Sequence, residues 1–216
     1  MIVRQVERQD YKPVLEMDRK VYPTNSPATS KIMSLWYKKN PEFGLIYTKN
    51  NKTVGICIAI PLNYYGWKEL INGRLNESDI DENFIFDNSK DNELGIHIYH
   101  IEKLESSIKE FHKIVLEDLS KAVRKLKEEN KKLKVIGLSA LCVTKEGINL
   151  FEKLGFREHE YLSSEHILEK NGKRIVIEAD SQKILDSKIK EGYTYLNRCK
   201  MEVVYSSEKS IIWGYL

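Results

Sequence analysis

The sequence predicts an α/β protein of the mixed (α+β) type built around one central sheet, and three observations predict it. Short β-rich runs alternate with helical patterns along the chain. Asn171-Gly172 separates two β-rich runs, which is the strongest short signal for a hairpin. Apolar residues from Ile108 to Leu126 recur every three or four positions, as in a helix packed on a sheet.

The first half of the chain is predicted to hold two helices, a hairpin and an inserted segment. The hairpin turns at residues 49–52, where two asparagines tolerate positive φ, and its second strand is apolar enough to be covered on both faces. In order we expect a strand at 2–6, a helix capped by Asp10 with Pro13 in its first turn, a helix at 28–39, strands at 43–48 and 53–62, and a polar insert at 63–92 with a short helix at 68–75.

The second half contains the long helix between two further strands. Ser107 and Glu110 have the spacing of a capping box at the start of that helix. We expect a strand at 94–104, the long helix, a strand at 133–143, a helix from Thr144 to Leu154 ended by Gly155, β-rich runs at 158–170 and 173–179, a helix at 180–191, and a last strand pair at 201–205 and 211–215.

Composition excludes several classes of protein. The chain has 216 residues and a net charge of +3, too weak a charge to indicate nucleic acid as a partner. No stretch approaches the ~20 apolar residues of a membrane span, and the charged N-terminus does not read as a secretory signal. Three widely spaced cysteines favour a reducing cytoplasm, and the histidine spacing matches no standard zinc pattern, so no metal is expected.

One motif resembles a known family. Residues 147–156 read G-I-N-L-F-E-K-L-G-F, which is similar to the A-x-x-L-Y-E-K-x-G-F helix end of the GNAT N-acetyltransferase superfamily. The resemblance covers roughly residues 1–168 and implies a mostly antiparallel sheet whose parallel strands 4 and 5 splay apart, with helices on both faces. Residues 1–168 would then form the GNAT-like domain with its insert at 63–92, and residues 169–216 a C-terminal β/α extension packed on it.

The resemblance also implies acetyl-CoA as co-substrate, bound along strand 4 with its pyrophosphate at the start of the next helix. The family's R/Q-x-x-G-x-G/A turn falls on residues 105–110, which contain no glycine to let the backbone approach a phosphate. The capping box would also occupy the first amide groups of that helix. The predicted cofactor-binding residues are Ile101, Lys103, Leu104, Ser106, Ser107, Lys109, Thr144 and Phe151.

For catalysis, the resemblance places Phe151 where many members have the tyrosine that protonates the leaving thiolate. We expect Glu102 to act as base toward the amine, with His100 on the same face of the strand and His97 and Tyr99 on the other. Cys142 reads as a buried, inert thiol. The acceptor pocket is predicted to involve the aromatic residues Tyr22, Tyr64, Tyr65 and Trp67.

Two functions remain open at this point. The first is an N-acetyltransferase that moves an acetyl group from acetyl-CoA to a primary amine of a small molecule or peptide. The second is a catalytically degenerate GNAT fold that serves as a ligand-sensing or protein-interaction module. The expected partner is the amine, with no nucleic acid and no membrane, and a homodimer is left open.

Overall fold

The computed structural model describes residues 1–159, 165–178, 180–196 and 199–204. Its helices are α1 Arg8–Val21, α2 Ser30–Trp36, α3 Tyr64–Ile71, α4 Phe111–Glu129, α5 Lys145–Lys153 and α6 Gln182–Lys190. Its strands are β1 Ile2–Gln5, β2 Gly44–Lys49, β3 Lys52–Asn63, β4 Glu93–Lys103, β5 Lys134–Cys142, β6 Arg157–Glu158, β7 Glu165–Lys170, β8 Lys173–Glu178, β9 Thr194–Leu196 and β10 Cys199–Val204.

Within the described ranges, the central sheet has seven strands in the order β1-β2-β3-β4-β5-β10-β6. Every pair is antiparallel except β4 and β5, so the predicted mixed, mostly antiparallel sheet is confirmed. The parallel pairing of β4 with β5 ends at Ile98 and Ala140, although β4 continues to Lys103 and β5 to Cys142. The two strands therefore separate over their last residues, and a gap opens in the middle of the sheet.

The C-terminal part differs from the predicted extension. β10 lies inside the central sheet, antiparallel to both β5 and β6, while β7, β8 and β9 form a separate three-stranded sheet. The boundary expected between residues 168 and 169 therefore falls within β7, and 165–196 is an insertion between two strands of one sheet. The reason is the long-range pairing of β10, which no local pattern announces. The strand predicted at 211–215 lies outside the described residues.

The core is continuous across the sheet and includes the insert at 63–92. Ile80, Ile85 and Phe86 of the insert are buried, and the Trp36 indole N–H donates to the Ile80 carbonyl oxygen at 3.2 Å. Gly95 of β4 leaves room for the buried Trp67 ring, because a Cβ there would lie 2.2 Å from that ring. The insert is thus an integral wall of the domain.

The turn and helix signals have mixed outcomes. The predicted hairpin turns are confirmed, since Asn50 and Asn51 have φ of 51° and 61°, and Asn171 and Gly172 have φ of 53° and 75°. The predicted capping box at the start of α4 is wrong: α4 begins at Phe111, and no side chain of the described residues caps it. Glu110 instead takes a left-handed conformation (φ 51°), which breaks the helix before its side chain can reach back.

The start of the first helix also differs from the expectation. α1 begins at Arg8 with a capping box between Glu7 and Asp10, rather than at an Asp10 cap. Pro13 consequently lies inside the helix, beyond its first turn. No helix in the described part of the chain is long and apolar enough to cross a membrane.

Candidate active site

A β-bulge in β4 arranges the polar side chains at the gap. Ile58 of β3 pairs with His100 and Ala59 with Ile98, so Tyr99 is an extra residue on β4. Strict alternation predicts Tyr99 and His100 on opposite faces of the strand. The bulge interrupts that alternation, and both side chains instead reach the same residue, Asp18 of α1.

Asp18 is part of a chain of hydrogen bonds that we call the relay. The relay runs from Tyr99 through Asp18 and His100 to Glu102. The Tyr99 hydroxyl donates to Asp18 Oδ2 at 2.6 Å, and His100 Nδ1 lies 3.0 Å from Asp18 Oδ1. His100 Nε2 lies 3.2 Å from Glu102 Oε2. Asp18 is 4% exposed and His100 2%, whereas Glu102 reaches solvent. The relay therefore leads from the protein interior to its surface.

The two carboxylates make His100 a cation at neutral pH. Burial alone lowers the pKa of the imidazole, but its hydrogen bonds to Asp18 and Glu102 and their negative charges outweigh burial and raise the pKa to about 9. Both ring nitrogens of the imidazolium then donate, one to each carboxylate. His100 is therefore a proton donor rather than a base in the resting protein.

Asp18 was missed at the level of the sequence, although a signal for it exists. In α1 the buried positions are Tyr11, Val14, Leu15 and Asp18. An aspartate spaced three and four residues from buried apolar residues lies on the buried face of a helix. A buried carboxylate needs partners, so this position predicts a polar contact inside the fold.

The gap between β4 and β5 holds a cavity of about 220 Å³, which we call the cofactor-side cavity. Of the predicted cofactor-binding residues, Ile101, Thr144 and Phe151 line it, as do His100 and Cys142. Thr144 caps α5 by accepting a hydrogen bond from the Gly147 N–H at 3.1 Å. The cavity therefore lies between the separated strands and the start of α5.

The other predicted cofactor-binding residues lie outside this cavity, on the connection from β4 to α4. Lys103, Leu104, Ser106, Ser107 and Lys109 are exposed there. The first amide groups of α4, those of 111 and 112, have no hydrogen-bond acceptor among the described residues, since the expected capping box is absent. Such groups and the helix dipole favour an anion, although the exposed carboxylate of residue 110 stands at the same helix end.

A second cavity of about 140 Å³, the acceptor-side cavity, lies between the α1–α2 connection, the insert, β4, β5 and β7. Three carboxylates line it, those of Asp18, Glu77 and Glu165, and no lysine or arginine is among its described lining residues. Glu165 accepts from the Thr24 hydroxyl at 3.0 Å and from the Asn25 N–H at 2.9 Å. The cavity is therefore suited to a positively charged group.

His97 connects two walls of the acceptor-side cavity. Its Nδ1 lies 2.8 Å from Ser139 Oγ on β5, and its Nε2 lies 2.7 Å from Glu77 Oε1 in the insert. His97 is buried, so these contacts hold the insert against the central sheet. Neither Glu77 nor Glu165 was among the residues singled out from the sequence, because both lie far along the chain from β4.

The two cavities meet at the bulge. Tyr22, Tyr99 and Leu141 line both of them. A group in the gap between the strands and a group in the acidic cavity would therefore come together beside Tyr99. Among the residues described, no group of three or more His, Cys, Asp or Glu side chains is arranged to hold a metal ion.

Of the aromatic residues predicted for the acceptor pocket, Tyr22 lines both of these cavities and the other three line neither. Trp67 is fully buried against Gly95, while Tyr64 and Tyr65 are 50% and 60% exposed on α3. None of these three is among the lining residues, because α3 turns one face to the core and the other to solvent. Glu102, the predicted base, lines neither cavity and contacts His100 instead.

Comparisons with known proteins give the fold an independent test. No protein-family model matches the sequence, and no curated protein matches it significantly. The structure is similar to Naa20 of Chaetomium thermophilum in complex with a bisubstrate analogue, at 9% identity and a TM-score of 0.50, over 95% of this chain and 87% of that one. It is likewise similar to NAA60 of Arabidopsis thaliana in complex with acetyl-CoA, at 10% identity and a TM-score of 0.50, over 95% and 99% of the two chains. These likenesses confirm the predicted fold.

Proposed function

We propose that this protein, which has the fold of the GNAT N-acetyltransferases, transfers an acetyl group from acetyl-CoA to a primary amine of a small molecule or peptide. The observation that carries the proposal is the meeting of two unlike cavities at Tyr99. One lies in a gap between parallel strands, and the other is acidic. Holding a thioester and an amine next to each other supplies a large part of the rate of acyl transfer.

Acetyl-CoA fits the cofactor-side cavity on three grounds. The edge of β4 beyond Ile98 no longer pairs with β5, so its backbone groups can bond the amides of the pantetheine arm. The cavity beside it is lined by Ile101, Thr144 and Phe151. The uncapped start of α4 offers amide groups to the pyrophosphate, with Lys109 close by in the chain.

The acceptor amine fits the acidic cavity because Asp18, Glu77 and Glu165 attract an ammonium group. The amine must lose a proton before its lone pair can attack, and a carboxylate of the cavity, directly or through water, is in position to accept it. This assigns the base to the acceptor side of the site. Glu102, which contacts His100, is left to exchange protons with solvent.

Binding is tested by thermal unfolding with millimolar acetyl-CoA. We expect the unfolding midpoint to rise by roughly 5–10 °C when the ligand is present at 100 times its dissociation constant. Leu150→Trp, which fills the cofactor-side cavity, should lose this response, whereas Ile184→Trp on the exposed face of α6 should keep it. No rise with the wild-type protein would refute the proposal.

Turnover separates the two functions left open by the sequence. Release of CoA thiol with a panel of amines, followed by detection of the acetylated product, supports the transferase. Binding of acetyl-CoA without turnover of any amine would favour the ligand-sensing or protein-interaction module. Phe151 in place of a proton-donating tyrosine and Glu110 at the start of α4 are the observations that favour this second function.

A further inference from the structure

His100, the third member of the relay, lines the cavity proposed for the thioester and can offer a proton there. We propose that His100, held in place by Asp18, protonates the thiolate that leaves from acetyl-CoA. Asp18 is in this view a positioning residue and His100 the catalytic acid. The inference rests on the proposed function and assigns a source for the proton that Phe151 cannot supply.

The first ground is placement. His100 on β4 and Phe151 on α5 both line the cofactor-side cavity. A proton donor on the β4 wall therefore faces the same space as one at position 151 would. The thioester sulfur has to lie near the junction of the two cavities if the acetyl group is to meet an amine, and Tyr99 at that junction is next to His100 in the chain.

The second ground is orientation. Asp18 Oδ1 accepts from His100 Nδ1 at 3.0 Å, and Asp18 is itself fixed because the Tyr99 hydroxyl donates to its other oxygen at 2.6 Å. The ring of His100 therefore cannot turn over without losing a buried hydrogen bond, which costs about 1–3 kcal/mol. Nε2–H is consequently directed away from α1, with Glu102 Oε2 at 3.2 Å. The Glu102 carboxylate is partly exposed and can move toward solvent, so a sulfur in the cavity can replace it as the acceptor of the same N–H while the ring stays in place.

The third ground is charge. Asp18 of α1 faces His100, as does Tyr22 directly after that helix, with its ring edge-on and the centroids 5.7 Å apart. Tyr99 and Glu102 face it from β4, and Cys142 from β5 and Glu146 from α5 line the same cavity. Burial raises the pKa of both tyrosines further above the neutral range, so they stay uncharged. The carboxylates of Asp18 and Glu102 favour the imidazolium over the neutral ring. The imidazolium pKa of about 9 suits proton transfer to a thiolate.

The amine nitrogen forms a bond to the carbonyl carbon, the C–S bond breaks, and its electron pair goes to sulfur. The sulfur takes the proton from Nε2 of His100 and becomes the CoA thiol. The ammonium group gives up one proton to a carboxylate of the acceptor-side cavity before the attack, and the nitrogen loses a second proton after it; both pass on to solvent. The neutral imidazole regains a proton from solvent by way of Glu102.

The decisive experiment uses CoA itself and needs no knowledge of the acceptor. The ionisation of the bound CoA thiol is followed by its ultraviolet absorbance across pH, in the wild type, His100→Gln and Asp18→Asn. An imidazolium next to the sulfur stabilises the thiolate, so we expect the thiol to ionise about one pH unit lower in the wild type than in His100→Gln. Asp18→Asn should give an intermediate value, and His166→Gln in the separate sheet should match the wild type.

The outcomes are distinct. If CoA binds and its thiol ionises at the same pH in the wild type, in His100→Gln and in Asp18→Asn, His100 is not beside the sulfur and this inference is overturned alone. If CoA does not bind the wild type, the proposed function fails as well. A fold defect in His100→Gln does not spoil the test, because Asp18→Asn leaves the imidazole in place and should still move the titration.

A kinetic test follows once an acceptor is found. His100→Gln should lower kcat by about 10²–10⁴-fold, and the double variant His100→Gln with Phe151→Tyr should recover part of that loss. A structural role of His100 would not be rescued by a phenol on α5. Asp18→Asn should move the alkaline fall of kcat to lower pH, since His100 then loses its proton more easily. An unmoved profile in that variant contradicts the positioning role of Asp18.

Discussion

The pH dependence of stability offers a direct test of the relay. His100 has a pKa of about 9 in the fold, against 6.5 for an unperturbed imidazole. The folded state therefore holds the proton more tightly than the unfolded chain does. This difference is worth about 3 kcal/mol of the free energy of unfolding, because one pKa unit corresponds to about 1.4 kcal/mol.

The sign follows from the direction of the shift. Below pH 6.5 the imidazole is protonated in both states, and the stabilisation by Asp18 and Glu102 is fully present. Between pH 6.5 and about 9 only the folded state keeps the proton, so the free energy of unfolding falls as the pH rises. Above pH 9 the proton is lost from both states and the contribution is gone.

The measurement is urea unfolding of the wild type and His100→Gln at half-unit steps from pH 5.5 to 9.5 (values chosen to bracket the two pKa values). Titrating groups away from the relay contribute equally to both proteins, so the difference between the two curves reports His100 together with the carboxylates that it contacts. We expect that difference to shrink by about 3 kcal/mol across the range. His166→Gln, in the separate sheet, should run parallel to the wild type. Parallel curves for His100→Gln as well would refute the reasoning.

Three further variants test other parts of the structure. Gly95→Ala should lower the free energy of unfolding by about 1–3 kcal/mol, since its Cβ would lie 2.2 Å from the Trp67 ring. Gly147→Ala in α5, the control, should be tolerated. Urea unfolding compares the two variants, and equal losses of stability would contradict the close packing at Gly95. Glu110→Gly should bind CoA more tightly than Glu110→Ala, as measured by calorimetry. Both variants remove the charge, but only glycine adopts φ of 51° without strain. Equal affinities of the two variants would mean that residue 110 influences CoA binding through its charge alone. Glu165→Gln should raise KM for a cationic amine several-fold with little change in kcat, and an unchanged KM in steady-state assays would remove Glu165 from the acceptor site.

Two predictions that rest on local or periodic sequence patterns are confirmed by the structure. The stripe through Val115, Leu119, Ala122 and Leu126 is the buried face of α4. Asn171-Gly172 forms the turn between β7 and β8 with both residues at positive φ. Each of these features depends on residues within one element, so the residue types alone determine it.

Features that depend on distant contacts did not carry over. The bulge at Tyr99 adds one residue to β4, and the residue types around it are as suitable for a regular strand as for a bulge. β10 joins the central sheet after an insertion that forms a second sheet, so its position depends on pairing with β5 rather than on its own sequence. The start of α4 shifted because Glu110 is left-handed, a conformation that a glutamate seldom signals.

The acidic cavity could not be predicted from the sequence, because it too depends on distant contacts. Asp18, Glu77 and Glu165 come from α1, the insert and β7, and only the folded chain brings them to one space. Their separation in sequence is large, and each is an ordinary surface residue type. Asp18 alone carried a signal, as an acidic residue on the buried face of a helix.

The bulge at Tyr99 changes what the absence of a tyrosine at position 151 implies. A regular strand presents every second side chain to one face, so it could bring either Tyr99 or His100 to Asp18, but not both. The extra residue brings both, and the buried carboxylate then holds a protonated imidazole in the cavity that Phe151 lines. A proton for the leaving thiolate depends on which groups surround that cavity. Phenylalanine at position 151 is therefore first of all an indication that another residue acts as the acid. It indicates a loss of catalysis only if no other proton donor lines the cavity.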